Sequence, residues 1–260
     1  RHSSLAFGWH RLMDTLGAVL GPLIALACLS LLNGNLRMAF YLAFIPGFLS
    51  CLGILFLREV AVEKDVSQKL QFHFSKLSPD LRKFLFIWFL FSLGGSSDAF
   101  ILLKIQKEKM SFTWVILAYC LYNLSYALLS PFLGSLADKY SKKWVLMFGF
   151  AIYGLVYLGF SANQNVYGYF LLFFVYGTYV AATEGVSKSL ALQYGDKHWK
   201  ATTLGALGVV SGIAVILANL LGGWLWEIKP AYTFQFGAGI SFLALIFFYF
   251  HREKSTINKV

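Results

Sequence analysis

The chain has 260 residues, of which 58% are hydrophobic and only 13% charged. A soluble domain averages about 45–50% apolar and about 25% charged residues, so a soluble fold would carry a surface that water could not cover. The formal charge of +10 lies between the apolar runs and not along one face, which argues against a nucleic-acid partner.

A helix needs about 20 predominantly apolar residues to cross about 30 Å of hydrocarbon. Applied from the first residue, that ruler predicts eight spans, at roughly 9–32, 37–57, 84–104, 112–136, 143–161, 166–187, 202–227 and 231–250. The chain starts at Arg1 with its first apolar run already under way, which reads as a protein truncated at its front. Short polar separators divide the spans, among them Asn33-Gly34-Asn35, Ala162-Asn163-Gln164-Asn165 and Lys229-Pro230. Only 58–83 is long and charged, so the chain divides into 1–57, a linker over 58–83, and a six-helix block over 84–260. Within the linker Val66, Leu70, Phe74 and Leu77 recur at helical spacing, the pattern of a short helix lying on a membrane surface. Ser78-Pro79-Asp80 then predicts a helix start: an N-cap, a proline at the first position and an acid in the first turn.

Loop charges set the expected orientation. With the linker on the cytoplasmic side, that side collects Lys and Arg over the other by roughly three to one, as the positive-inside rule requires. The net charge is thus a topology signal. Cys28, Cys51 and Cys120 all fall within apolar runs, which gives neither a disulfide framework nor a metal pair. There is also a faint internal repeat. Ala6-Phe7-Gly8, Asp14, Gly17 and Gly21-Pro22 align in phase with Thr203-Leu204-Gly205, Ser211, Ala214 and Ala218-Asn219, as in transporters built from two related halves.

Between the fourth and fifth spans stands Gly134-Ser135-Leu136-Ala137-Asp138-Lys139-Tyr140-Ser141-Lys142-Lys143. It closely resembles the G-x-L-a-D-r-x-G-r-k-x loop signature of the major facilitator superfamily, with Ser141 in place of the usual glycine. Glycine allows close helix approach, the aspartate suits a neighbouring helix N-terminus or a cation, and the basic residues suit an anionic leaflet. The segment with Asp14, Gly17, Gly21 and Pro22 resembles the fifth helix of these transporters, its glycine-proline element being similar to that of the antiporter branch. Gly94-Gly95-Ser96-Ser97-Asp98 resembles a seventh helix, Tyr122-Asn123-x-x-Tyr126 an eighth, and Glu184-Gly185-x-x-Lys188 the end of a tenth. The resemblance implies an all-α, polytopic membrane bundle, helices 5–12 of twelve, with Gly134, Asp138, Lys139, Lys142 and Lys143 forming a gating loop.

Charged groups at membrane depth face a cavity or a partner, because burial in hydrocarbon costs roughly 2.5–3.5 kcal/mol. Asp98, among small residues that allow water or a broken helix, is the candidate for proton or substrate coupling; its alternative role is a hydrogen bond at an outer gate. Glu184 with Lys188, and Arg11 with Asp14 and His10, sit one turn apart and suit an inner gate. Tyr119, Tyr122, Asn123 and Tyr126 form a polar aromatic stripe for cavity lining or, alternatively, interface anchoring. No HExxH pair or carboxylate dyad supports an intramembrane enzyme. The expectation is a monomeric, multi-pass inner-membrane transporter that exports a small solute in exchange for protons, with no cofactor or metal. A facilitator, or a transporter-like receptor or scaffold, is the alternative. In a cysteine-free background, single cysteines at Ser67 and Ser141 are expected to react with an impermeant reagent only from the cytoplasm, and one at Asn35 or Asn163 only from outside. Outside labelling at Ser141 contradicts this topology.

Overall fold

The computed structural model describes residues 3–53, 55, 77–108, 110–163 and 165–251. The linker helix expected over 66–77 therefore lies almost wholly outside the described residues. Among those described, every regular element is helical: α1 (Ser3–Leu31), α2 (Leu36–Gly53), α3 (Pro79–Gly94), α4 (Asp98–Lys107), α5 (Phe112–Lys139), α6 (Lys142–Ala162), α7 (Val166–Tyr194), α8 (Lys200–Ile228) and α9 (Pro230–Phe250), with one 3-10 turn at Lys197–Trp199. Counting α3 and α4 as one interrupted span, eight are long and apolar enough to cross a membrane.

Local chemistry places the helix ends. After α1 the chain reverses through Asn33 and Gly34, both at positive φ (52° and 80°), which glycine and asparagine tolerate best. The Gly34 amide closes onto Leu29 O at 2.8 Å, and Asn35 Oδ1 accepts from Met38 N at 3.2 Å to start α2. At α3, Ser78 Oγ accepts from Leu81 N at 3.1 Å, with Pro79 at the first position and Asp80 in the first turn. Ser78 Oγ also donates to Tyr194 O at 2.6 Å, tying the start of α3 to the end of α7.

Two differences from the predicted spans matter for function. The span expected as one helix over 84–104 breaks at Gly95–Ser97, and α7 runs on to Tyr194, past the predicted end at 187. Lipid-length hydropathy marks only the membrane-crossing part of a helix; capping and packing decide where the backbone stops.

α5, α6, α7 and α9 form the packed centre, α3 and α8 close it, and α1 lies along α5 and α7. Without a hydrophobic drive between helices in lipid, close packing of small residues has to supply association. Gly177 shows the tightest approach: a Cβ there would stand 2.5 Å from Tyr122 O and 2.9 Å from Tyr126 N on the backbone of α5. Ser125 Oγ bridges the same crossing to Phe174 O at 3.0 Å. By contrast α2 buries none of its residues, and Gly17, Gly21, Gly205, Gly208 and Gly212 face open space. Gly177→Ala is expected to force α5 and α7 apart at a cost of about 1–3 kcal/mol, as overpacking does. A clearly lower unfolding temperature in detergent than for Gly212→Ala checks this; equal temperatures contradict it.

Candidate functional site

The site begins with the broken third span. Where α3 ends at Gly94 and α4 begins at Asp98, peptide groups lose their helical partners at membrane depth and need others. Tyr153 Oη donates to Gly94 O at 2.8 Å, and Tyr157 Oη donates to Ser96 O at 3.1 Å. Ser97 N donates to Asn219 Oδ1 at 2.9 Å, while Ser97 Oγ accepts from Ala99 N and caps α4. The break is held against α9 by backbone contact. A Cβ on Gly94 would lie 2.8 Å from Gly237 O, and one on Gly237 would lie 2.6 Å from Gly94 O.

This geometry turns Asp98, in the first turn of α4, toward α7, where Tyr176 Oη donates to its Oδ1 at 2.7 Å. Asp98 lines a cavity of about 410 Å³ together with Trp88, Tyr122, Tyr176, Tyr179, Glu184, Ser211 and Asn219. Tyrosine rings form much of its wall: Tyr176 packs against Tyr179 with centroids 5.0 Å apart and against Tyr122 at 5.1 Å. Among the described residues, no lysine or arginine lines it. A second cavity of about 540 Å³ shares Trp88, Glu184 and Ser211 with it and adds Phe7, Lys188 and Leu204. The two join Asp98 to the opposite end of the bundle. Between them Trp88 Nε1 donates to Ser211 Oγ at 2.8 Å.

Glu184 stands where the cavities meet. Its Oε2 accepts from Tyr126 Oη, and its Oε1 lies 3.7 Å from Lys188 Nζ. The expected pairing with Lys188 is therefore present, and the carboxylate also faces the central cavity, which sequence reading did not anticipate. Two acids thus share one space, each accepting from a tyrosine hydroxyl.

At the loop end, Asp138 reaches the first turn of α1. Its two oxygens accept from Ser4 N at 3.3 Å and Leu5 N at 3.0 Å, and Lys142 Nζ lies 3.7 Å away. Gly134 makes this possible, since a Cβ there would stand 2.5 Å from Ser4 O. Ser141 serves as the N-cap of α6, accepting from Trp144 N at 3.4 Å. Lys143 turns inward to donate to His251 O at 2.5 Å and Tyr249 O at 3.4 Å. Lys139 lies over the Tyr140 ring, 5.4 Å from its centroid. The loop's cations are thus held by protein partners as well as facing outward.

The remaining candidates are scattered. Tyr122 lines the cavity and Tyr126 reaches it through Glu184, but Tyr119 and Asn123 are not among its lining residues. Asn123 is buried and donates back to Tyr119 O at 2.9 Å, one turn behind it. Asp14 and His10 stand on the exposed side of α1, as do Gly17 and Gly21, with Pro22 half-buried; the side chain of Arg11 lies outside the described residues. Sequence reading missed Trp88, Tyr176, Tyr179, Ser211 and Asn219. The signal was there in part: Tyr176 and Glu184, and likewise Ser211 and Asn219, are polar pairs two turns apart in apolar helices.

Similarity to known proteins agrees with this architecture. The chain is 33% identical over 250 residues to the uncharacterized MFS-type transporter MJ1317 of Methanocaldococcus jannaschii, covering 93% of this chain and 63% of that relative's length. It is 28% identical over 127 residues to the quinolone resistance protein NorA of Staphylococcus aureus, covering 48% of this chain and 32% of the relative. Residues 84–260 match the model of the Major Facilitator Superfamily. The chain therefore belongs to the Major Facilitator Superfamily, whose members are membrane transporters and not enzymes.

Proposed function

We propose that the full-length protein exports a small, amphipathic, cationic solute by alternating access, and that proton entry drives the export. The observation that carries this reading is the pair of tyrosine-held carboxylates, Asp98 and Glu184, facing one aromatic cavity with no lysine or arginine among its described lining residues. A carboxylate at membrane depth can exchange a proton for a cationic solute because both compensate the same negative charge. The tyrosine faces attract the solute's apolar and cationic parts, and the space is of the size that small-molecule sites occupy. The name of the Staphylococcus aureus relative, which ties that protein to quinolone resistance, supports an aromatic solute.

The broken span and the loop would then have separate tasks. Asp98 senses proton or solute at the start of α4, close to the peptide groups held by Tyr153, Tyr157 and Asn219. Asp138, clasping the first turn of α1, holds the loop end in one arrangement, and its release would let that end open. Hydrogen bonds to a charged group contribute about 1.5–3 kcal/mol, enough to bias a two-state equilibrium strongly without locking it.

In vesicles containing the full-length protein, Asp98→Asn is expected to abolish accumulation of solute against its gradient while sparing downhill exchange. Asp98→Glu, which keeps an ionisable group, should retain part of the uphill activity. If Asp98 only tied α4 to α7, asparagine would still accept from Tyr176 and pumping would survive. A variant that still concentrates solute removes Asp98 from the coupling, and a wild-type protein that only equilibrates solute is a facilitator.

A further inference from the structure

A third cavity, of about 720 Å³, lies away from the central one, between the start of α3 and the end of α9. It shares no lining residue with either central cavity. Arg82 and Lys83 form its polar side, and Phe86, Phe247 and Phe250 its apolar side. Phe86 meets Phe247 edge-on, with centroids 6.4 Å apart and planes at 87°. Arg82 and Phe86 are one helical turn apart, about 6 Å along the axis, so cation and ring succeed one another along α3.

We infer that this cleft binds one anionic phospholipid, with its phosphate between Arg82 and Lys83 and an acyl chain against Phe86 and Phe247. The guanidinium of Arg82 can hold two phosphate oxygens at once, and Lys83 adds a second charge. Long basic side chains of this kind can lay their alkyl stems along apolar surface and keep the charged heads at headgroup level. Basic clefts between spans at the cytoplasmic side are suited to anionic headgroups, and this end of the bundle carries the Asp138 loop and the basic excess.

The surroundings favour an anion further. The C-terminal carbonyls of α9 would repel a phosphate, but Lys143 already donates to His251 O and Tyr249 O. The cleft also faces the positive end of the α3 dipole, and Asp80 in that first turn is not among its lining residues. Charge also speaks against the adjoining C-terminal stretch as occupant, because Arg252, Lys254 and Lys259 outweigh Glu253 and give it the same sign as the cleft. A lipid supplies both what the cations need and what the phenylalanines need.

The test is native mass spectrometry of the full-length protein in detergent, titrated with phosphatidylglycerol or, separately, phosphatidylcholine. Wild-type protein should retain one phosphatidylglycerol in preference to phosphatidylcholine. Arg82→Gln with Lys83→Gln should weaken retention by about fivefold per charge, about twenty-fivefold together, at roughly one charge–surface interaction each. Arg82→Lys with Lys83→Arg keeps both charges and should keep most of the binding, which separates charge loss from misfolding. Lys107→Gln with Lys229→Gln, at the opposite end, should change nothing. Phosphatidylglycerol retained equally by the Gln variant, or phosphatidylcholine retained equally by wild type, overturns the assignment. So does displacement by millimolar inorganic phosphate, which would identify a free anion as ligand. A wild-type protein that retains no phosphatidylglycerol overturns it as well.

Discussion

Peptide groups set free at membrane depth have to be satisfied by protein, because hydrocarbon supplies no hydrogen bonds. The break between α3 and α4 creates such a demand, and much of the functional architecture is the response to it. Tyr153 and Tyr157 reach Gly94 O and Ser96 O from α6, and Asn219 reaches Ser97 N from α8. Those bonds draw α6 and α8 to the break. The glycine-on-glycine contact of Gly94 with Gly237 lets α9 join them without an intervening side chain. The tyrosines that answer the broken backbone also bring aromatic surface to it: Tyr153 packs on Tyr157 with centroids 4.1 Å apart and on Tyr179 at 4.7 Å. Asp98 lies at the head of α4 because the chain restarts there, and Tyr176 and Tyr179, which pack on Tyr153, line the cavity beside it.

The far end of the bundle uses the same kind of interaction with the roles reversed. There a carboxylate takes backbone amides: Asp138 accepts from Ser4 N and Leu5 N, at a crossing that Gly134 keeps narrow. The Asp138 side chain is only 5% exposed, so losing its partners would leave a poorly hydrated charge. Glu184 stands between the two ends, held by Tyr126 and Lys188 at the junction of the cavities. In the proposed cycle these three acids connect a cavity that takes proton or solute with a clasp that opens and closes. The inferred lipid site would stand outside that path, on the outer side of α3 and α9.

Much of the fold was legible because bilayer thickness imposes a length on each span and because turn chemistry is local. The eight apolar runs and the Ser78-Pro79-Asp80 start follow from residues close together in sequence, whereas Asp138 meets Ser4 and Leu5 from 133 to 134 residues away. The site was harder to read, since the same residue types serve it and the packing around it. Tyr119 and Asn123 look as suitable for lining as Tyr122, yet Asn123 satisfies itself on Tyr119 O within its own helix. Tyr176 lies among aromatic and aliphatic residues all round α7, so its hydrophobic pattern picks out no face. Its hydroxyl finds its carboxylate partner, Asp98, 78 residues away. The break itself was signalled by Gly94-Gly95-Ser96-Ser97, but its partners Tyr153, Tyr157 and Asn219 lie 59 to 122 residues away.

The central claim is that proton and cationic solute compete for the carboxylates of one cavity. Proton release on binding tests it most directly, using full-length protein in detergent, a weakly buffered medium and a lipophilic aromatic cation. The account predicts that adding the cation to wild-type protein acidifies the medium in a saturable way, and that Asp98→Asn protein releases fewer protons for the same amount bound. Saturable binding of the cation with no proton release, in wild type as in the variant, would contradict it.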